Sequence, residues 1–209
     1  MSTAEIHRPQ RFVLYGEPWG AYIRLLHLFE GRRHLRITYD RGALEIMTLS
    51  AEHEVWKHLI GRLIITITEE LGLPVAGYGS LTMKRRKKLR GLEPDECFWI
   101  QNEPLVRNLK NYDLRRDPPP DLIIEVDITR SALNRMKIYA ALKAPEVWRF
   151  RKGRIEFHLL ATDGKYAIQP DSRAFPSIRA DDLTPFLELL GQMDHNAIVR
   201  KFREWLRSR

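Results

Sequence analysis

Pro118-Pro119-Pro120-Asp121-Leu122-Ile123-Ile124-Glu125-Val126-Asp127 is an apolar run entered through prolines and carrying two acids near its far end. A short run of this kind, rich in Ile, Leu and Val, reads as a buried strand. An acid inside it is costly to bury unless its charge is compensated, and a divalent cation is a strong compensator. Glu125 is therefore a candidate metal ligand. A second stretch, Pro94-Asp95-Glu96-Cys97-Phe98-Trp99-Ile100, also opens on Pro-Asp and runs into apolar residues. Two such strands side by side would bring acids together at one sheet edge.

Strand geometry limits which acids can cooperate. Asp121 and Glu125 share a face but lie about 13 Å apart, four steps of roughly 3.3 Å, so one ion cannot join them directly. Glu125 and Asp127, about 7 Å apart on that face, can share a site if their side chains converge. Asp95, at the mouth of a neighbouring strand, is the third carboxylate. In phosphodiester hydrolysis such carboxylates hold Mg²⁺ or Mn²⁺, which polarises the phosphoryl group and activates a water. A cation beside them stabilises the negative charge of the transition state. Lys137, in the helix after the Glu125 strand, is the candidate, and a solvent-facing helix lysine is the alternative.

Periodicity supplies the surrounding elements. Trp19 to Glu30 has helical spacing, and 35–39 and 43–47 flank a turn at Asp40-Arg41-Gly42. Ser50 is an N-cap for a core helix that Gly72 stops. Strands are expected near 76–83, 96–100 and 122–128, then a helix from about 131 to 142. Strands over 146–150, 154–160 and 165–168 complete a meander with turns at Lys152-Gly153 and Asp163-Gly164. Arg107 to Pro120 reads as a long loop.

With 209 residues, 44% of them hydrophobic, the chain can bury one sizeable core. The expectation is a single domain over 1–209, with its centre at about 35–170 and an amphipathic helix at about 194–208. No span resembles a membrane helix or signal peptide, since Val55 to Leu71 is broken by Lys57, His58, Arg62 and Glu69. The lone Cys97 excludes an intramolecular disulfide and a Cys-based zinc cluster, and fits a reducing cytoplasm. A net charge of +8 and a pI near 9.7 suit a polyanionic partner.

In their order along the chain, Asp95, then Glu125-Val126-Asp127, then Lys137 resemble the PD-(D/E)XK nuclease superfamily. More closely, Leu44-Glu45-Ile46-Met47 with His53, Pro94-Asp95, Pro119 to Val126, Lys137-x-Tyr139 and Pro145-Glu146-Val147-Trp148-Arg149 are similar to the Uma family of endonucleases, over roughly residues 12 to 190. The resemblance implies an α/β restriction-endonuclease-like core, a mixed central sheet flanked by helices, with an N-terminal helix and hairpin. It also implies a metal-dependent DNA endonuclease in which Asp95 and Glu125 bind Mg²⁺ or Mn²⁺ and Lys137 is the catalytic lysine. One position departs from the superfamily pattern: where a lysine is expected two residues after the acid, this chain has Asp127. The lysine has then moved to the following helix or is missing. A missing lysine would leave a catalytically inactive nuclease-fold protein that binds nucleic acid or a protein partner.

Other residues have two readings each. Glu54 matches an extra acid found in many superfamily nucleases, or serves the dipole of its helix. Glu45 faces the site from the hairpin, or alternates outward. His53 is a ligand, or a cap or packing residue. Asp121 is functional, or anchors a loop. Cys97, Trp56, Trp99 and Trp148 have core spacing. The run Lys84, Arg85, Arg86, Lys87, Lys88 and Arg90 is expected in a hairpin tip or loop near the site, contacting DNA phosphates or simply solvated. The C-terminal helix packs on the domain or a second subunit, or as a basic amphipathic helix binds an anionic membrane or lies along DNA. A homodimer is expected where both strands of a duplex are cut.

Overall fold

The computed structural model describes residues 10–32, 34–79, 81–128 and 131–209. In chain order the elements are β1 (Arg11–Leu14), α1 (Trp19–Leu28), β2 (Leu35–Asp40), β3 (Ala43–Thr48), α2 (Ala51–Glu70), β4 (Ala76–Tyr78), β5 (Met83–Arg85), β6 (Arg90–Leu92), β7 (Glu96–Trp99), α3 (Glu103–Val106), β8 (Leu122–Val126), α4 (Arg135–Ala141), β9 (Glu146–Arg151), β10 (Arg154–Leu160), β11 (Tyr166–Gln169), α5 (Ala180–Leu187) and α6 (His195–Arg207). A five-stranded antiparallel sheet has the order β1-β3-β2-β6-β5, and a six-stranded sheet the order β11-β10-β9-β8-β7-β4. The larger sheet is mixed: β8 and β9 are parallel, joined across α4, and its other pairs are antiparallel. No helix among the described residues is long and apolar enough to cross a membrane.

β8 is buried at all five positions, Glu125 included, as a largely apolar strand covered on both faces requires. Leu122, Ile124 and Val126 join a core built with α2, α5 and α6, while Ile123 joins one built with α4. Glu125 has the parity of Ile123 and so falls on the α4 face. Cys97, Trp99 and Trp148 are fully buried in these cores, and Trp56 packs on the edge of the first.

Local sequence explains the boundaries. Ser50 caps α2 by accepting from the His53 amide at 3.1 Å. The β2–β3 turn places Arg41 and Gly42 at positive φ, 50° and 95°, a two-residue hairpin geometry in which glycine is favoured. Two expectations are corrected. The strand read over 76–83 is two strands in different sheets, and residue 80 between them lies outside the described residues. The helix read from Ser131 begins at Arg135, because Asn134 caps it at the Lys137 amide, 3.1 Å, and residues 131–132 are held by Glu45. Sequence reading also passed over β1, α3 and α5. α6 packs on the domain through fully buried Ile198 and Phe202, with Arg203 and Arg207 paired to Glu69 and Glu70 of α2.

Candidate active site

β7 and β8 are antiparallel, with Glu96 opposite Ile124 and Cys97 opposite Ile123. One further step of that register sets Asp95 opposite Glu125. The Val126 amide indeed donates to Asp95 Oδ2 at 2.8 Å. Both acids are buried, and both line one cleft of about 550 Å³ between the two sheets. The smaller sheet gives this cleft Arg11, Arg36 and Met47. The larger gives Glu125, Asp127, Arg149 and Arg151, α2 gives His53, and α4 with its preceding loop closes it.

Each acid has its own counter-charges. Asp95 Oδ2 lies 3.1 Å from His53 Nε2, and Arg36 Nε is 3.6 Å from Oδ1. Burial alone would raise the Asp95 carboxyl, but the His53 hydrogen bond and the charges of His53, Arg135 and Arg36 outweigh it and hold the group below the usual carboxylate range. For His53 burial works against the imidazolium, yet Asp95, Glu125 and Glu54 together raise its pKa. Glu125 is engaged at both oxygens. Arg135 pairs with Oε1 through Nε and donates to Oε2 at 3.0 Å, and the Tyr139 hydroxyl donates to Oε2 at 2.6 Å. Burial nevertheless pushes the Glu125 carboxyl up, Arg135 opposing and Asp95 adding to the shift. Arg135 is itself fixed by the Thr38 hydroxyl, 2.9 Å, and the Glu93 carbonyl, 2.7 Å.

Asp95, Glu125, Asp127 and His53 are thus brought together. Lys137 is exposed and does not line the cleft; the cation at Glu125 is Arg135, two residues earlier. Asp127 turns to Arg149 at 2.5 Å and Arg151 at 3.8 Å. Glu45 is buried as an anchor for the loop before α4, accepting from Ser131 Oγ and the Ala132 amide, each at 2.6 Å. Glu54 is half exposed and pairs with Lys57 and, at 3.3 Å, with His53 Nδ1. Asp121 accepts from the Ile100 and Asn102 amides at 2.7 and 2.9 Å, a loop anchor away from the cleft. The run from Lys84 to Arg90 lies in a hairpin and does not line the cleft. It forms β5, a 3₁₀ turn and β6; Arg90 meets β2 at Asp40, while Lys84 lines a second cavity together with Arg36.

Sequence reading passed over Arg135 and Arg151, and held Tyr139 and Arg149 only as motif residues without a role; the signals were the i, i+4 spacing that places Arg135 and Tyr139 over Glu125, and the alternation Arg149-x-Arg151 on the strand beside it. For a hard divalent ion the donors fit in kind: two buried carboxylates on adjacent strands. Among the described residues no three His, Cys, Asp or Glu side chains converge on one point. Mg²⁺ is commonly held by one or two carboxylates, with water and substrate oxygens completing its shell, so Asp95 and Glu125 suffice in number.

Residues 19–190 match the family model Uma2, described as "Putative restriction endonuclease". Every residue named above as lining the cleft falls inside the matched span except Arg11. None of the curated proteins matches the chain.

Proposed function

Because the chain belongs to the Uma2 family of restriction-endonuclease-like proteins, we propose that it hydrolyses phosphodiester bonds of DNA with a divalent ion, Mg²⁺ or Mn²⁺, held by Asp95 and Glu125. The observation that carries this reading is the pair of buried acids set opposite each other across β7 and β8 at the floor of an arginine-walled cleft. When bound, the ion polarises a phosphoryl oxygen and lowers the pKa of a water. The chain orients both ligands: the Val126 amide and His53 fix Asp95, and Tyr139 fixes Glu125. Arg135, charged at any working pH, supplies the positive group that sequence reading assigned to Lys137.

One observation favours a second reading. Both Glu125 oxygens are already committed to Arg135 and Tyr139, so an ion must share or displace those contacts. A chain in which it does not would bind nucleic acid on a nuclease scaffold without cutting it.

Supercoiled plasmid incubated with Mg²⁺ or Mn²⁺ tests the proposal. Wild type is expected to nick it only with metal, and Glu125→Gln or Asp95→Asn to lose about 100-fold or more in rate. Lys137→Ala keeps its rate. Arg135→Lys is the informative change at that position, since deleting the cation strands a buried charge at a cost of about 3–5 kcal/mol. The lysine variant folds and cleaves more slowly. A folded Lys137→Ala that loses activity would return the role to Lys137. A wild type that binds Mn²⁺ yet leaves every substrate intact would establish the binding protein instead.

A further inference from the structure

We propose that Arg149 and Arg151 form a backbone-phosphate subsite on the wall of the cleft, which Asp127 occupies until nucleic acid displaces it. The inference rests on the reading of the cleft as a nucleic-acid site, and names which residues receive the strand. The two arginines are two apart on β9 and share a face. β8 fixes Asp127 beside them: Glu125 is the register partner of Arg149, and the Asp127 amide donates to the Phe150 carbonyl at 2.8 Å. Both guanidiniums address the same oxygen, Asp127 Oδ2, Arg149 at 2.5 Å and Arg151 Nε at 3.8 Å.

The charge balance favours an anion. Two guanidiniums face one carboxylate, which leaves the trio one positive charge in excess, and Arg11 and Arg36 line the same cleft. The side chains of Arg149 and Arg151 are 27% and 44% exposed, while that of Asp127 is 10% exposed. The cations thus reach the open cleft and the acid sits behind them. A phosphodiester oxygen offers the guanidiniums the acceptor geometry that Asp127 now supplies. A subsite here also answers a difficulty of the site itself. Asp95, Glu125 and Asp127 repel a polyanion, and a cationic wall beside Glu125 offsets that repulsion where the strand must approach.

The test is binding of a labelled oligonucleotide to the intact chain by fluorescence anisotropy, with chelator present so that nothing is cut, over a salt titration. Arg149→Ala and Arg151→Ala are each expected to weaken binding and to reduce the slope of log K against log salt by about one. Asp127→Asn removes the competing acid and is expected to tighten binding about fivefold at low salt. An unchanged salt slope in both arginine variants, or an Asp127→Asn chain that binds no tighter, overturns the proposal. Should Arg149→Ala fail to fold, the more exposed Arg151→Ala and Asp127→Asn decide it alone. The outcomes stay separable from those for hydrolysis: unchanged slopes beside metal-dependent cleavage sink only the subsite, whereas intact binding without cleavage sinks only the nuclease.

Discussion

Single side chains in this fold are decided by what compensates them, and Glu146 illustrates the rule outside the cleft. It is fully buried on β9, where it accepts from Trp148 Nε1 and the Ala174 amide, each at 2.7 Å. Burial raises its pKa above the ordinary 4.5, although the hydrogen bonds from Ala174, Trp148 and Ser172 oppose the shift. A carboxyl raised on folding contributes stability that is full below the unfolded value and is lost as pH rises through the folded one. Denaturant midpoints of the wild type should therefore carry a downward component above pH 4.5, and Glu146→Gln should flatten it, whatever its absolute stability. Identical pH slopes in the two proteins would show that Glu146 is not held neutral. Glu146 stands in a motif that was legible in sequence, but its task was not, because Ala174 lies 28 residues away. Arg135 was hidden for the same reason. Its partners Thr38 and Glu93 come from distant segments, and only its i, i+4 spacing to Tyr139 separates it locally from the exposed Lys137.

At the level of elements, the strands with clear alternation or unbroken apolar runs were legible: β2, β3, β8, β9 and β10 appear at or within a residue or two of the expected ends. Legibility failed where a segment answers to a distant surface, as in the divided 76–83 strand and the delayed start of α4. Gly61 in α2 is such a case. A glycine inside a helix costs about 0.5–1 kcal/mol against alanine, so local propensity argues against it. A Cβ at position 61 would overlap the carboxylate of Glu96 on β7, so an alanine there requires Glu96 to swing aside. Burial there raises Glu96 to about 7, with Lys57 opposing and Asp95 and Glu54 adding to the shift. Gly61→Ala alone is expected to lose stability, and Gly61→Ala with Glu96→Ala to recover it and gain the helix propensity. The coupling between the two should be about 1 kcal/mol in a urea double-mutant cycle. Additive effects would mean that Glu96 moves aside freely and that the glycine has no packing reason.

Across the whole molecule, which carries a net charge of +8, two basic regions bear on a polyanionic partner. One is the arginine wall of the cleft. The other is the Lys84–Arg90 hairpin, whose Arg90 meets β2 at Asp40, about 13 Å along the strand from Arg36. Lys84, Arg86, Lys87 and Lys88 are exposed, while Arg85 and Arg90 are tied to the Leu114 carbonyl at 2.8 Å and to Asp40 at 2.7 Å. The tied pair shapes the hairpin and the exposed four remain for a partner. A duplex seated at the cleft reaches this second patch only if it extends beyond the cleft, so the two contributions separate by length. Lys87→Glu with Lys88→Glu is expected to weaken binding of a long duplex and to lower its salt slope by about two. Binding of an oligonucleotide short enough to be held by the cleft alone should not change. Equal weakening for both lengths would mean that the patch acts through the general field of the protein and not by contact. No weakening for either would leave the run as a solvated hairpin tip.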